Sequence, residues 1–525
     1  MYASQTFKAL FQKYRDDSVI LKCKQYAHWT LPKLMAELCY HGKSHQMIER
    51  DYQEMGALLT NNLAAKLTAL LFPVNRSFFG AAPSEALKLA AKQKGVPEPE
   101  LQAGLSQLEM KASQQVFLNS SYNQLTLAVA HLIVTGNALV FRDSKKKKTV
   151  AYGVQSYAIR RTGTGEMADC ILREFESFAG LSRELQVQLS MRFPNKYRMD
   201  RFDTSVEVYT RITRVEEPVG TVGYLIKQEI EGMEIGKPGW YPEHLCPWQA
   251  PVWSLLAGEH YGRGLVEDYA GGFASLSDKS EALALYGIAA MKFINLVQPG
   301  SGNNIDDMNA AETGEYVQGV NGAIAVQEAG DGAKMQAMIA DIQRTFDNLA
   351  KAFMYGANTR DAERVTAYEL RQQAQEANTA LGGQYSALAE SFQVPTAHIL
   401  MTEVEPGTLQ GIITGDIKLD IIAGIPALSR GIDVQNILQS AQDAAAIVPP
   451  LVQLDDRIDS RKLMDMIYAG QSVDTTMFHR TKEEQAKYDE AKQQQNQAQQ
   501  QLAAANTATD TQTALAALPG SQPSA

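Results

Sequence analysis

The sequence predicts an α+β protein that is mainly helical. Apolar residues recur every three or four positions towards both ends of the chain, which is typical of helices that bury one face. In the middle of the chain apolar and polar residues alternate, which is typical of half-buried strands. The chain has 525 residues, 45% of them hydrophobic and 21% charged, so it can build a large core in several domains. This composition excludes a wholly disordered or fibrous protein.

The N-terminal part is predicted to be helical up to Phe72. Between residues 44 and 72 the apolar side chains fall on one helical face. The Phe72-Pro73 step ends that helix, because a residue before proline is pushed out of the helical region. Residues 83–118 predict two further helices, separated at residues 95–99. The apolar positions of the long helix are Ile48, Tyr52, Met55, Leu59, Leu63, Leu67 and Leu70.

Strands are predicted across the middle of the chain, at residues 139–141, 150–152, 171–172, 206–212 and 224–230. They are short and separated by turn residues, and the fourth alternates apolar with polar side chains. We therefore expect an antiparallel sheet built from hairpins.

Helices are predicted again after Gly264. Residues 296–314 are rich in Gly and Asn and indicate a loop. Residues 316–326 follow as two apolar runs around Asn321-Gly322, which is a typical hairpin turn. This stretch predicts a hairpin between two helices.

The last predicted helices lie before Pro395. Apolar residues mark one helix face over residues 335–353, and a capping box of Thr366 with Glu369 starts another helix. From about residue 481 the chain is rich in Gln, Ala and Thr and has almost no large apolar side chains. We expect a disordered tail over residues 481–525.

The charge and the cysteines limit the function classes. The formal net charge of −10 excludes a protein whose whole surface attracts nucleic acid, but it allows local contacts with DNA. The cysteines contain no CxxC pair, so neither a zinc framework nor a disulfide scaffold is expected, and free thiols suit a reducing compartment. The apolar run at residues 125–141 is short for a membrane span and contains polar residues, and the N-terminus lacks the apolar core of a signal peptide. The cysteines are Cys23, Cys39, Cys170 and Cys246.

Motifs for catalysis are nearly absent, so we do not expect an enzyme, a cofactor or a resident metal. Gly42-Lys43-Ser44 resembles the end of a phosphate-binding loop, but the glycine that this loop needs five positions earlier is Glu37. His41 and His45 have a spacing that can ligate zinc, but no third ligand is evident. The glycines at residues 162–165 lack the strand and helix of a nucleotide-binding loop, so a hairpin turn is expected there.

Two basic groups are the candidates for contact with an anion. The first is the lysine run at residues 145–148, between two predicted strands, where a solvated hairpin tip is the simpler interpretation. The second consists of Arg360, Arg364 and the nearby Lys351. Asp361 and Glu363 could pair with both arginines, and the alternative is a positive loop that touches a phosphate backbone.

Several short stretches occur in a fixed order along the chain. They are GALLTNNLAAK at 56–66 continuing through LFP at 71–73, VTGNAL at 134–139, YGRGL at 261–265 with ED at 267–268, DAERVTAYEL at 361–370, LGGQYS at 381–386, FQVP at 392–395 and IIAGIPALSRG at 421–431. Together they resemble the portal proteins of T7-like short-tailed bacteriophages, the head-to-tail connectors. The resemblance covers about residues 5–480, and the tail lies outside it.

The resemblance implies the phage portal fold, with wing, stem, clip and crown, assembled as a ring with a central channel. Family members form a homo-oligomeric, normally dodecameric ring at one capsid vertex, and double-stranded DNA passes through it without sequence specificity. The implied partners are the large subunit of terminase, a tail adaptor protein, the major capsid and scaffolding proteins, and internal core or ejection proteins. No membrane partner is implied. The implied location is the portal vertex of the virion, after assembly in the bacterial host cytoplasm.

The family architecture assigns each segment of this chain a part. It makes Arg360, Arg364 and Lys351 the DNA-channel candidates, at or beside the tunnel loop. The expected parts are the wing at 1–263, the first stem helix at 264–294, the clip at 295–332, the second stem helix at 333–355, the tunnel loop at 356–366, the wing return helix with its following segment at 367–424, the crown at 425–480 and the Gln/Ala-rich tail at 481–525.

Two other functions stay open from the sequence. The first is a neck or tail adaptor, which has a structural role without DNA translocation and binds to a ring that already exists. The second is a packaging ATPase, which would need a phosphate-binding loop and an acidic metal site.

Overall fold

The computed structural model describes most of the first 421 residues. The chain divides into two compact units, Met1–Leu428 and Ser429–Ala525. All described residues belong to the first unit, so the predicted crown and tail lie outside the described residues. These are residues 5–36, 51–73, 77–95, 98–199, 204–216, 222–290, 293–300, 304–312, 315, 320, 322, 324–328, 332–355, 383–408 and 417–421.

Helices occur on both sides of a strand-rich middle section, as the sequence predicts. The helices of the described part are α1 Phe7–Tyr14, α2 Asp17–Trp29, α3 Met55–Leu71, α4 Glu85–Gln93, α5 Glu98–Gln114, α6 Ser121–Thr135, α7 Arg183–Arg192, α8 Leu265–Asp268, α9 Ala270–Ala290, α10 Ile305–Ala310, α11 Gly332–Ala352, α12 Gln384–Leu388 and α13 Val394–Val404. A π-helical turn at Ala389–Gln393 joins the last two.

The strands among the described residues form four antiparallel groups: β1 with β12, β10 with β11, β3-β2-β9, and β4-β5-β6-β7-β8. The prediction of antiparallel hairpins is therefore confirmed. The strands are β1 Phe79–Pro83, β2 Leu139–Asp143, β3 Lys148–Tyr152, β4 Tyr157–Arg161, β5 Met167–Ser177, β6 Ser205–Glu216, β7 Val222–Ile230, β8 Met233–Pro242, β9 Trp248–Gln249, β10 Phe293–Val297, β11 Ile324–Glu328 and β12 Ile417–Ile421.

The long N-terminal helix begins later than the sequence predicts. Helix α3 starts at Met55, and Tyr52, a predicted member of its apolar face, is 58% exposed. The Gln53 side chain, just before the helix, bonds to the first turn of α3 and to the end of α2. Its Oε1 accepts from Gly56 N at 2.7 Å, and its Nε2 donates to Trp29 O at 2.6 Å. This side-chain cap satisfies a free backbone donor of the first turn. The end at Leu71 agrees with the prediction.

The apolar run at 125–141 is buried inside the protein. It forms most of α6 and the start of β2, and Leu125, Leu132 and Ile133 belong to the main core. His131 is buried with them, and this burial lowers its pKa to about 4, so its imidazole is neutral near pH 7. No helix in the described ranges is long and apolar enough to cross a bilayer.

A five-stranded sheet with helix α1 on one face forms the middle of the protein. Phe7, Leu10 and Phe11 of α1 pack on Ala158, Ile171 and Tyr209 of the sheet. The sequence predicts β5, β6 and β7 but not β4 and β8 of this sheet. Strand β8 contains Gly236, Pro238 and Gly239, which weaken the strand signal, and its partner β7 holds it in place.

The segment between the two long C-terminal helices differs from its prediction. The sequence predicts a loop at residues 296–314, but β10 extends to Val297 and α10 occupies Ile305–Ala310. The structure pairs β11 with β10, the strand that follows α9. The first half of the hairpin predicted at 316–326, residues 316–319, and Asn321 of its turn lie outside the described residues, so the hairpin stays a prediction. An apolar run does not determine its partner strand.

Candidate functional site

Helices α9 and α11 pack side by side and run in opposite directions. A Cβ at Gly272, early in α9, would lie 3.0 Å from Leu349 Cδ2, late in α11. Lys279, further along α9, forms an ion pair with Asp341, which lies earlier in α11. We call α9 and α11 the stem pair; strands β10 and β11, which pair with each other, lie between them in the chain. The helical predictions for these stretches agree with the structure.

The proximal half of the stem pair, made of the start of α9 and the end of α11, is part of the main core. The distal half is made of the end of α9 and the start of α11. Phe273 and Leu276 of α9 are fully buried, and Phe353, which follows α11, makes an edge-on ring contact with Phe273 at 5.4 Å between centroids. The Lys66 ammonium of α3 donates to Met354 O at 2.7 Å and fixes the end of α11. These contacts anchor the base of the stem pair in the core.

The distal half of the stem pair lacks a core of its own. No residue in 280–288 of α9 or in 332–341 of α11 is buried. Leu285, Ile288 and Ile339 are 54%, 57% and 49% exposed. Leu283 and Met338, where the helices face each other, are only partly buried. Two helices this long need further apolar contacts to be stable, because helix propensity alone is marginal in water.

Charges on the stem pair are arranged around Asp341. Its carboxylate bonds to the Lys279 ammonium across the pair and to Arg344 Nη2 at 2.7 Å. The hydrogen bond from Lys279 is the main cause that holds the pKa of Asp341 below its usual value. The ion pair fixes the axial register of the two helices, although its exposure to solvent limits its strength.

The segment that joins the two helices is strongly acidic. Residues 293–333 contain six acidic residues and no Lys or Arg. In the described part of this segment, α10 is exposed except at the half-buried Met308, and Asn304 Oδ1 caps it by accepting from Asp306 N at 3.1 Å. Such a surface repels DNA and attracts basic partners.

A cluster of backbone and amide contacts joins α6 to the segment before α8. Asn137 Nδ2 donates to Gly262 O at 2.7 Å, and Gly262 N donates to Asn137 Oδ1 at 2.7 Å. Trp253 N donates to Gly136 O at 3.0 Å. We call Gly136, Asn137, Gly262 and Gly264 the stem-base cluster. It brings together VTGNAL and YGRGL, two of the stretches on which the resemblance rests, immediately before the stem pair begins.

Of the three predicted DNA-channel residues, the structure describes Lys351. It lies in the last turn of α11, exposed, and forms no ion pair with any residue that the structure describes. Arg360 and Arg364 lie outside the described residues, as do Asp361, Glu363 and the capping box at Thr366. Met354, three residues after Lys351, has a φ of 53° and turns the chain at the helix end.

The stretches that resemble catalytic or metal-binding motifs form a turn and buried thiols where the structure describes them. Residues 162–165 form a turn closed by Thr162 N on Glu166 O at 2.9 Å. Cys23, Cys170 and Cys246 are buried free thiols, and burial raises the pKa of Cys23 and Cys246 to about 12. Within the described ranges no group of three or more His, Cys, Asp or Glu could hold a metal ion. Cys39, His41, His45 and residues 42–44 lie outside the described residues.

Sequence reasoning missed a buried ion pair between Arg142 of β2 and Glu403 of α13. Arg142 Nη2 lies 2.8 Å from Glu403 Oε2, and the side chains are 7% and 4% exposed. The only signal in the sequence was a lone arginine in an apolar strand, which does not identify its partner 261 positions away.

These features define a protein with a sheet-containing part and a stem of two helices, and no described element covers the distal half of that stem. The chain belongs to the family of bacteriophage head to tail connecting proteins, whose family model matches residues 4–478. That range agrees with the extent of the resemblance and leaves out the tail. The family is named for a structural role that joins head and tail.

The chain is similar to curated portal proteins over most of its length. It is 42% identical to the portal protein of Pseudomonas phage phiKMV over 503 residues, which cover 96% of each chain. It is 27% identical to the portal protein of Escherichia phage T7 over 452 residues, covering 84% of this chain and 82% of that one. The portal protein of Enterobacteria phage SP6 is 28% identical over 423 residues, covering 80% and 79%.

Two of the solved structures with detectable similarity come from gene transfer agent particles. A chain from the neck of the empty particle matches with a TM-score of 0.35 and 11% identity, covering 74% of this chain and 86% of that chain. A chain from the virion of the native particle matches with a TM-score of 0.34 and 10% identity, covering 75% and 86%.

Proposed function

We propose that the chain is the subunit of a portal ring through which double-stranded DNA enters the capsid during packaging and leaves it on infection. The observation that carries this proposal is the exposed distal half of the stem pair, which no element in the described part of the chain covers. Its exposed Leu285, Ile288 and Ile339 need a neighbour, and a second copy of the same chain supplies an equivalent apolar face. Membership of the connector family and the similarity to curated portal proteins support this proposal.

Within such a ring, we assign the segments of the chain to the parts that the resemblance implies. The proposal makes residues 264–294 and 333–355 the stem helices and 295–332 the clip. Residues 1–263 and 367–424 then form the wing, and the remaining assignments are the tunnel loop at 356–366, the crown at 425–480 and the tail at 481–525. The acidic charge of the joining segment suits a clip that docks basic surfaces of other proteins.

The proposed channel contacts DNA weakly and without reading its sequence. Twelve copies of a chain with net charge −10 repel a polyanion on average, so the duplex can slide. Rings of Arg360, Arg364 and Lys351 would neutralise phosphates transiently, with the salt dependence of counterion release. Lys351 supports this role because it is exposed and unpaired among the described residues, next to the proposed tunnel loop.

The proposed ring works with other phage proteins. It would dock the large terminase subunit during packaging and a tail adaptor afterwards, and it would contact the major capsid, scaffolding and internal core proteins. It would be assembled in the bacterial host cytoplasm and reside at one vertex of the virion. The alternative is a neck or tail adaptor, which would require a ring that is already formed.

Ring formation is tested by electron microscopy of the purified chain viewed end-on. We expect closed rings, about twelve-fold, with a hole wide enough for a duplex. The triple variant Leu285→Glu, Ile288→Glu and Ile339→Glu should abolish the rings, because it places three charges per subunit in an apolar contact.

The matched control puts the same number of charges on exposed apolar residues of other elements. Leu21→Glu, Leu89→Glu and Met191→Glu change side chains that are 71%, 62% and 78% exposed. This variant should still form rings. A wild-type chain that stays monomeric and binds only a pre-formed portal would support the adaptor instead.

The channel role of the arginines is tested in assembled heads. Changing Arg360 and Arg364 to Ala should leave rings intact and lower the amount of packaged DNA about tenfold, because each subunit loses two phosphate contacts. Packaged DNA is measured by nuclease protection. The control variant Arg183→Ala with Arg192→Ala removes two arginines from α7 and should package normally. Normal packaging by the first variant would reduce Arg360 and Arg364 to local ion pairing.

A further inference from the structure

The hairpin of β2 and β3 carries four consecutive lysines at its tip, Lys145 to Lys148. We call residues 144–148 the lysine tip. Lys145, Lys146 and Lys148 are exposed, and none of the four lysines forms an ion pair with a described residue. The nearest acid in the sequence, Asp143, uses Oδ1 to accept from Lys145 N at 3.0 Å and from Lys146 N at 3.1 Å. A concentrated positive charge is therefore left facing solvent.

The lysine tip is held in a fixed shape at some conformational cost. Lys147 has a φ of 51°, in the left-handed region where glycine or asparagine is the cheaper residue. Asn119 has the same φ and Ser120 one of 59°. The Asn119 amide donates to Lys146 O at 2.8 Å, so the strained segment before α6 supports the tip. A turn that needed only to reverse the chain would not require lysine at this position.

We propose that the lysine tip binds the phosphate backbone of duplex DNA, as a contact separate in sequence from Arg360 and Arg364. This inference rests on the proposed function, which brings duplex DNA to the chain. The tip fits phosphates because a lysine ammonium is a compact point charge on a flexible stem, and several such charges neutralise successive phosphates without reading bases.

A protein partner fits the tip less well. Residues 144–148 are one serine and four lysines, with no apolar or aromatic side chain to fill a pocket. Protein interfaces draw their affinity from buried aromatic and arginine anchors and are depleted in lysine. Binding to DNA needs no such anchor, because counterion release supplies the free energy.

The test compares two triple variants that lose the same charge. In the first, Lys145, Lys146 and Lys148 become Ala, and Lys147 stays so that the turn keeps its residue in the left-handed conformation. In the control, Lys24, Lys92 and Lys94, which are exposed on α2 and at the end of α4, become Ala. Binding of a fluorescent 30-base-pair duplex is measured between about 50 and 200 mM salt.

We expect the tip variant to bind the duplex at least about tenfold more weakly at 50 mM salt, with a salt slope smaller by about 2–3. The control should stay within about twofold of the wild type. Equal affinity of the tip variant and the wild type would overturn the inference, as would a wild type that does not bind the duplex at 50 mM salt. Unchanged DNA binding with lost binding of polyglutamate would assign the tip to an acidic protein instead.

Ring images of the same samples separate this inference from the proposed function. If the wild type forms rings and the tip variant binds DNA as tightly as the wild type, the portal proposal stands and the inference about the lysine tip is refuted. If the wild type forms no rings and the tip variant still binds DNA more weakly, the portal proposal is refuted and the lysine tip remains a DNA contact.

Discussion

Glu403→Ala is expected to lower the free energy of unfolding by about 3–5 kcal/mol. The substitution leaves the Arg142 guanidinium buried without its counter-charge, since Arg142 Nε and Nη2 donate to the two carboxylate oxygens at 3.0 and 2.8 Å. Arg142 Nη1 also donates to Ser121 Oγ and Thr149 Oγ1, so the guanidinium cannot turn to solvent without breaking further bonds. The measurement is the urea concentration at the midpoint of unfolding. The m value, which is the slope of the unfolding free energy against urea concentration, should equal that of the wild type.

An exposed ion pair provides the control for Glu403. Lys227 and Glu234 lie 3.2 Å apart, with side chains 34% and 58% exposed. Glu234→Ala should change the free energy of unfolding by no more than about 1 kcal/mol, because solvent screens the pair. A similar small effect at Glu403 would show that α13 moves away from β2 at little cost and that the pair does not hold them together.

Gly136→Ala is expected to cost about 2–5 kcal/mol and to weaken ring assembly. Gly136 has a φ of 74°, and a Cβ there would lie 2.3 Å from the carbonyl carbon of Arg263 and 2.5 Å from Gly264 N. Both neighbours are backbone atoms, so α6 and the start of α8 would have to separate. The stem-base cluster would then no longer fix the direction in which α9 begins. Unfolding midpoints and end-on ring images measure the two effects.

Substitutions at two other glycines separate the backbone strain at Gly136 from the close approach of its Cβ to Arg263. Gly258 also has a positive φ, 86°, but open space around its Cβ position, so Gly258→Ala should cost only the conformational strain of about 1–2 kcal/mol. Gly271 has neither constraint, and Gly271→Ala in helix α9 should be neutral or slightly stabilising. If Gly136→Ala costs no more than Gly258→Ala, the close approach to Arg263 does not contribute.

Local patterns in the sequence are enough to predict the order and type of most elements. Helical periodicity indicates α3 and α11, because the apolar side chains of each fall on one helical face, and alternation of apolar with polar side chains indicates β6. The family resemblance comes from short stretches such as VTGNAL and YGRGL, whose glycines allow close backbone contacts. The interpretation of residues 145–148 and 162–165 as turns agrees with the structure, because local turn chemistry decides them.

Which distant segments meet depends on the whole fold. Strand β11 pairs with β10 because the opposed helices α9 and α11 bring their ends together, whereas an apolar run fits any partner. The Arg142–Glu403 pair and the Asn137–Gly262 bonds join residues 261 and 125 positions apart, and no local pattern encodes such a distance. Whether an apolar helix face is covered is likewise a tertiary property. The periodicity of α11 indicates an apolar face, and the structure leaves the distal halves of α9 and α11 exposed because no other described element reaches them.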